Sequence, residues 1–162
     1  MDYSKGTDVQ LCINEANAFY DVALYCAEID RAAQAKQMQF ESEAFYFFPA
    51  IINLSFSVEL YLKALVQKYG IQYQKVHGMK GLYDDLPPIV KDTLAAKYQK
   101  KCPYLVSLTE TLEVHDQAFI KWRYAFEPKN HSVVAYFDNL KIAADTICEV
   151  LVESKANNNN TN

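Results

Sequence analysis

The sequence predicts an all-α fold, an up-and-down bundle of four long helices plus shorter ones, and three observations carry that prediction. Chain breakers are scarce: there are 4 glycines and 5 prolines among 162 residues, and Ala, Leu, Lys, Glu and Gln fill the stretches between them. Those residues lose little side-chain freedom in a helix. Apolar residues recur at steps of three and four in every long segment, and no alternating strand pattern competes with them. Serine and threonine stand at capping positions ahead of several of these runs. At 51% hydrophobic residues, the chain can bury one good core but is too short for two ordinary domains. Residues 1–156 are therefore expected to form a single helical domain, and 157–162, rich in asparagine, a disordered tail.

Taken in order, Thr7 and Gln10 have capping-box spacing, and Val9, Ile13, Ala16, Tyr20, Ala23 and Ala27 then mark one face of a long helix reaching about residue 38. The small residues on that face let a neighbouring helix approach closely. Ser42 is placed to cap the next helix, which Gly70 ends, while Pro49 either kinks it or belongs to its first turn. Within it Leu54, Val58, Tyr61, Leu62 and Leu65 share a face, and Ser55, Glu59 and Lys63 line up on another.

Residues 71–86 read as a loop and a short helix punctuated by Gly78 and Gly81. The Pro87-Pro88 pair sets this piece apart from a helix over roughly 89–101, which Cys102-Pro103 stops. Ser107 and Glu110 form a second capping-box spacing and open a helix through Phe119, Trp122 and Phe126 toward Pro128. Ser132 then caps a last helix whose stripe is Val133, Phe137, Leu140, Ala144, Ile147 and Leu151.

Composition narrows the function classes. The N-terminus has no basic segment leading into an apolar run, so no secretory signal is visible and a cytoplasmic location is expected. Residues 44–66 come closest to a membrane span, but Asn53, Glu59 and Lys63 interrupt them, which fits a buried helix of a soluble protein better. Cys12, Cys26, Cys102 and Cys148 are widely separated and read as reduced packing residues. Net charge is formally −4, yet residues 63–101 hold eight lysines against Asp84, Asp85 and Asp92. That imbalance marks either a surface for an anionic partner or the solvated faces of ordinary helices.

The chain has no glycine-rich phosphate loop, no His-Glu-x-x-His zinc pair and no nucleophile elbow, so neither a metal nor a cofactor is expected. Acid-base chemistry must fall to carboxylates or to one of three histidines. His115 reads as a surface residue in mid-helix, and His77 as a capping residue where a helix begins. Arg123 and His131 are the candidate catalytic pair. Arg123 can pair with Glu127 at i+4, and His131 lies beyond Pro128, beside the start of the last helix. A cation, an imidazole and free backbone amides at such a junction can hold a phosphodiester and stabilise the charge that develops as it is cut. The same spacing suits a structural Arg-Glu pair and an exposed linker histidine. Asn53, Glu59 and Lys63 form a polar set on the central helix. Either Glu59 and Lys63 let that helix touch solvent along one edge, or the set belongs to a binding or structural network.

The run NLSFSVELYLKALV, then HGMKGLYDDLP and FIKWRYAFE, in that order and spacing, resembles the HEPN superfamily of nucleotide-binding helical domains over roughly residues 9–153. The resemblance implies a bundle of four or five helices that often forms homodimers. Active members are metal-independent endoribonucleases, many in toxin-antitoxin, abortive-infection and other defence systems, often beside a nucleotidyltransferase-like partner. Such members carry an arginine, four to six intervening residues and a histidine; here seven residues separate Arg123 from His131, and Tyr124 follows the arginine. Glu59, Lys63 and Arg123 match family positions. The expected function is thus a homodimer binding RNA or a nucleotide, with endoribonuclease chemistry at Arg123 and His131. The alternatives are a noncatalytic dimeric interaction module with a buried Glu/Lys/Arg network, and a bundle that binds a small ligand in its aromatic interior.

Overall fold

Six α-helices and no strand make up the described residues of the computed structural model, which are 9–37, 46–72, 78–116 and 135–159. They are α1 (Val9–Gln37), α2 (Phe47–Lys68), α3 (Met79–Asp85), α4 (Pro88–Lys101), α5 (Leu108–His115) and α6 (Phe137–Asn159). Side-chain pairings give their directions. Tyr46 and Phe47 meet Asp30, Phe56 meets Phe19, and Tyr61 meets Asn17, so α1 and α2 are antiparallel. Ile51 packs near Phe137 and Lys68 reaches Leu151, so α2 and α6 run the same way. Lys97 bonds Glu153 and Lys101 bonds Glu149, which makes α4 antiparallel to α6. The long helices therefore alternate up and down, with α3 and α5 as short inserts.

The seam between α1 and α2 is the most extensive helix contact, and its cause is legible in α1. Ala16 and Ala23 are wholly buried and Ala27 nearly so; side chains this small bring a partner helix close enough for its larger residues to fill the gap. Those larger residues are Leu54, Val58, Tyr61, Leu62 and Leu65, the predicted apolar face of α2, all buried. Ala50, Ile51, Ala64 and Val66 are buried as well, so α2 is covered on most of its circumference and forms the axis of the core. It is the one described helix long and apolar enough to cross a membrane, with 61% of its most apolar window buried inside the protein.

Helix ends follow local chemistry in some places and tertiary contacts in others. Gly70 adopts φ +69°, and the N–H groups of Gly70 and Ile71 donate to the carbonyls of Gln67 and Val66. That double bond is the Schellman closure, which favours a residue without a Cβ. Pro88 sits in the first turn of α4, and the Ser107–Glu110 capping box is complete in both directions.

Three expectations need correction. The second helix begins at Phe47 with Tyr46 as its N-cap, and that residue's side chain makes no capping bond; Ser42 and Thr7 lie outside the described residues. The cap arrives from α1, where the 6% exposed carboxylate of Asp30 accepts the N–H groups of both Tyr46 and Phe47 at 3.1 Å. Pro49 accordingly belongs to the first turn, where no intrahelical N–H is missed. The helix opened by Ser107 closes at His115, with Asp116 in extended backbone, instead of continuing to Pro128. The last helix begins at Phe137, not after Ser132, since the N–H of Tyr136 is taken by His115 while its carbonyl accepts from Leu140. At its other end α6 runs to Asn159; adding residues to an established helix is far easier than nucleating one.

Two polar clasps hold α6. Tyr20 of α1 donates to Asp145 at 2.5 Å, and Lys141 donates to the other carboxylate oxygen at 2.8 Å; burial pushes the Tyr20 phenol up, and the bond to Asp145 adds to the shift. On the far side Glu149 accepts from Lys101 and Lys97, which pull its carboxyl down to about 2. A carboxyl depressed in the folded state stabilises at pH above its unfolded value, near 4.5, and loses that contribution as pH falls through the folded value, near 2. The melting temperature of Glu149→Gln should therefore fall below wild type at neutral pH, and the gap should close between about pH 4.5 and 2. A gap independent of pH would show that the clasp is not the cause.

Candidate functional site

One end of the bundle gathers the start of α2, the α4–α5 connection and the start of α6. The fastening there is His115. The face of α5 that carries Leu108, Thr111 and Leu112 is turned to the core, and His115 extends it by three and four residues, so the histidine is buried at 1% exposure, contrary to the expected surface position. Its Nδ1 lies 2.7 Å from the Thr111 carbonyl, and its Nε2 accepts the Tyr136 N–H at 3.0 Å. These contacts assign the proton to Nδ1, since Nε2 must present a lone pair to the amide. Asp116 follows, with its carboxylate directly over Gly78 at the head of α3: a Cβ on Gly78 would stand 1.9 Å from its Oδ1. Any side chain at position 78 would have to displace that carboxylate.

The chain leaves the described residues after Asp116 and returns at Ala135, and the His115–Tyr136 bond ties these two points together. Between them in sequence stand Arg123, Glu127 and His131, which lie outside the described residues, as does His77.

Next to this fastening opens a cleft of about 520 Å³ lined by Phe47 of α2, Tyr104 and Val106 of the α4–α5 connection, and Tyr136, Phe137, Asp138 and Asn139. Tyr104 and Tyr136 are about half exposed, whereas Asn139 is 4% exposed. The aromatic side chains offer flat faces for stacking, and Asp138 and Asn139 supply hydrogen-bonding groups. Volumes of this order suit small organic ligands.

The polar set on α2 divides. Glu59 and Lys63 form an ion pair at 2.6 Å, with side chains 30% and 27% exposed, along the edge of the helix that reaches solvent. Asn53 lies about 9 Å further toward the helix start, and its amide donates to the Pro49 carbonyl at 2.7 Å. It does not join the pair.

The lysine-rich stretch is largely engaged within the fold. Besides Lys63, Lys68 donates to the Leu151 carbonyl, Lys91 to the Asp84 carbonyl, Lys80 pairs with Asp84, and Lys97 and Lys101 with Glu149. Lys100 is the exposed lysine of α4 without such a partner among the described residues, and Lys75 lies outside them. A continuous cationic strip does not form from these residues. The four cysteines are free, and no group of three or more His, Cys, Asp or Glu side chains among the described residues could hold a metal ion.

Asp30 and Asn139 are buried polar groups that reading the sequence overlooked, His115 is one that it placed at the surface, and each had a signal. Asp30 continues the buried row Ala23, Ala27; His115 continues Leu108, Leu112; Asn139 begins a row with Ala143, Thr146 and Val150, all buried. A polar residue on a core row implies a specific buried partner. No protein-family model, curated protein or solved structure matches this chain.

Proposed function

We propose that this protein is a HEPN-like helical bundle that binds RNA or a nucleotide at the cleft beside α6 and acts as a metal-independent endoribonuclease in a cellular defence or toxin-antitoxin setting. The observation that carries the reading is the His115–Tyr136 bond, which brings both ends of the stretch bearing Arg123 and His131 to the rim of an aromatic cleft. Exposed aromatic faces bind unpaired bases by stacking, largely without sequence preference. In this reading Arg123 steadies the phosphate and the charge of the transition state, His131 assists proton transfer from the 2′-hydroxyl, and two copies form one cytoplasmic homodimer. A nucleotidyltransferase-like protein is its proposed partner. Because the lysines of residues 63–101 are mostly engaged within the fold, binding should depend only weakly on salt.

Cleavage of single-stranded RNA by the purified protein should persist in EDTA. Arg123→Ala and His131→Ala should each lower it by at least ~100-fold, the scale of a lost acid-base or charge-stabilising group, with dimerisation and melting unchanged. Intact RNA after incubation with wild type, or normal cutting by both variants, would end the catalytic reading.

A noncatalytic dimeric interaction module is the second reading, and one observation favours it. Opposite the core, α1 exposes Leu11, Val22 and Tyr25 by 50%, 46% and 66%, and their spacing sets them along one face. Under that reading Glu59, Lys63 and Arg123 have a structural role only.

A further inference from the structure

The cleft beside α6 has aromatic walls and a single kind of charge. Phe47, Tyr104, Tyr136 and Phe137 supply the rings, and Asp138 is the one ionisable carboxylate among the described residues that line it, with no lysine or arginine beside it. The Asp138 side chain is exposed and makes no hydrogen bond or ion pair with another described residue. Lys141, the nearest cation on the same helix, is turned to Asp145 at 2.8 Å. The first turn of α6 accommodates an anion electrostatically, and both carboxylate oxygens stay open as acceptors at the edge of an aromatic surface.

We infer that the cleft takes an unpaired guanine base, stacked against its aromatic wall with the pairing edge toward Asp138. This rests on the nucleotide-binding reading and adds the identity of the base. An ionised carboxylate only accepts hydrogen bonds, and it does so through two oxygens. Guanine is the one common base whose pairing edge carries two donors side by side, the ring N–H and the neighbouring amino group, so donors and oxygens match as a bidentate, charge-assisted pair. Adenine and cytosine each bring one amino donor beside a ring nitrogen that carries a lone pair, which the carboxylate repels. Uracil brings one N–H between two carbonyl oxygens, with the same result. Because the described lining holds an anion and no cation, a phosphate is disfavoured inside, so the ligand enters base first and its phosphate remains toward the rim.

The test is calorimetric titration of the full-length protein with GMP, IMP, AMP, CMP and UMP at neutral pH, with free arginine as a second probe of the carboxylate. GMP should bind about tenfold or more tighter than AMP, CMP and UMP, the discrimination of one good bidentate pair. IMP keeps the two-ring face and the ring N–H but lacks the amino group, so it should fall between. Arginine has paired donors and a charge but no rings to stack, and should bind more weakly than GMP. Asp138→Asn replaces the two acceptors by an amide, which can meet the edge of any base, and should level the order. Tyr104→Ala should weaken all five nucleotides and leave the order intact. Both positions are exposed, so both variants should fold. A flat order in wild type, IMP binding as tightly as GMP, arginine binding more tightly than GMP, or an unchanged order in Asp138→Asn overturns the guanine inference. Should nucleotides still bind under that outcome, the nucleotide-binding reading stands without it. Failure of every nucleotide and of single-stranded RNA to bind overturns both.

Discussion

Leu140→Asp is expected to cost on the order of 4–6 kcal/mol, enough to remove most of the stability of a domain this size. Leu140 is wholly buried and begins the apolar row that α6 presents to the rest of the bundle, followed by Ala143, Ala144 and Ile147. Two losses combine: the transfer energy and packing of a leucine side chain, and the burial of a carboxyl that has no described cation within the row. Protonating that carboxyl in the folded state would relieve part of the second loss at the expense of a pH-dependent stability. The damage should also reach the candidate site, because the N–H of Leu140 donates to the carbonyl of Tyr136, whose own N–H is held by His115. Thermal unfolding followed by circular dichroism measures the effect. The variant should lose its cooperative transition or melt at least ~10 °C lower, while Leu140→Met, which nearly conserves volume, should cost less than about 1.5 kcal/mol. A wild-type melt for Leu140→Asp would show that α6 does not bury this row.

Asp30→Ala should be the most damaging single change to a polar side chain among the described residues, at about 2–4 kcal/mol. Its carboxylate accepts the N–H groups of Tyr46 and Phe47 and the side-chain amide of Gln34 at 2.6 Å, and it lies where the positive end of the α2 dipole favours an anion. Removing it leaves the first amides of the central helix without an acceptor and also cuts the tie between α1 and α2 at that end. Asp30→Asn retains an acceptor oxygen without the charge, so it should lose roughly half as much. Glu15→Ala, at an exposed position of α1, should stay within about 0.5 kcal/mol of wild type. Urea denaturation of the three variants checks the order. Equal midpoints for Asp30→Ala and Glu15→Ala would mean that α2 does not need this cap.

Most of the architecture was legible in the sequence, and the reason is local. The face of α1, the apolar face of α2, the start of α4 after Pro87, the Ser107–Glu110 box and the Gly70 stop all depend on residues within one or two turns of each other. Spacing along the chain is enough to read such features. The candidate site was less legible. Glu59 and Lys63 pair at i,i+4 as their order in the helix favours, whereas Arg123, Glu127 and His131 fall outside the described residues.

By itself, then, the sequence determined the helical class and the helix ends built from nearby caps. Only the tertiary structure decided where α2 begins, where α5 stops and where α6 starts, because in each case the deciding partner is remote. Asp30 is 16 residues from Tyr46 and His115 is 21 from Tyr136, and Asp116 takes the space over Gly78. A buried backbone amide must find an acceptor wherever the fold supplies one, and a pattern within one segment carries no record of an acceptor on another. The same physics made His115 a buried fastening, although it read in the sequence as a surface residue in mid-helix.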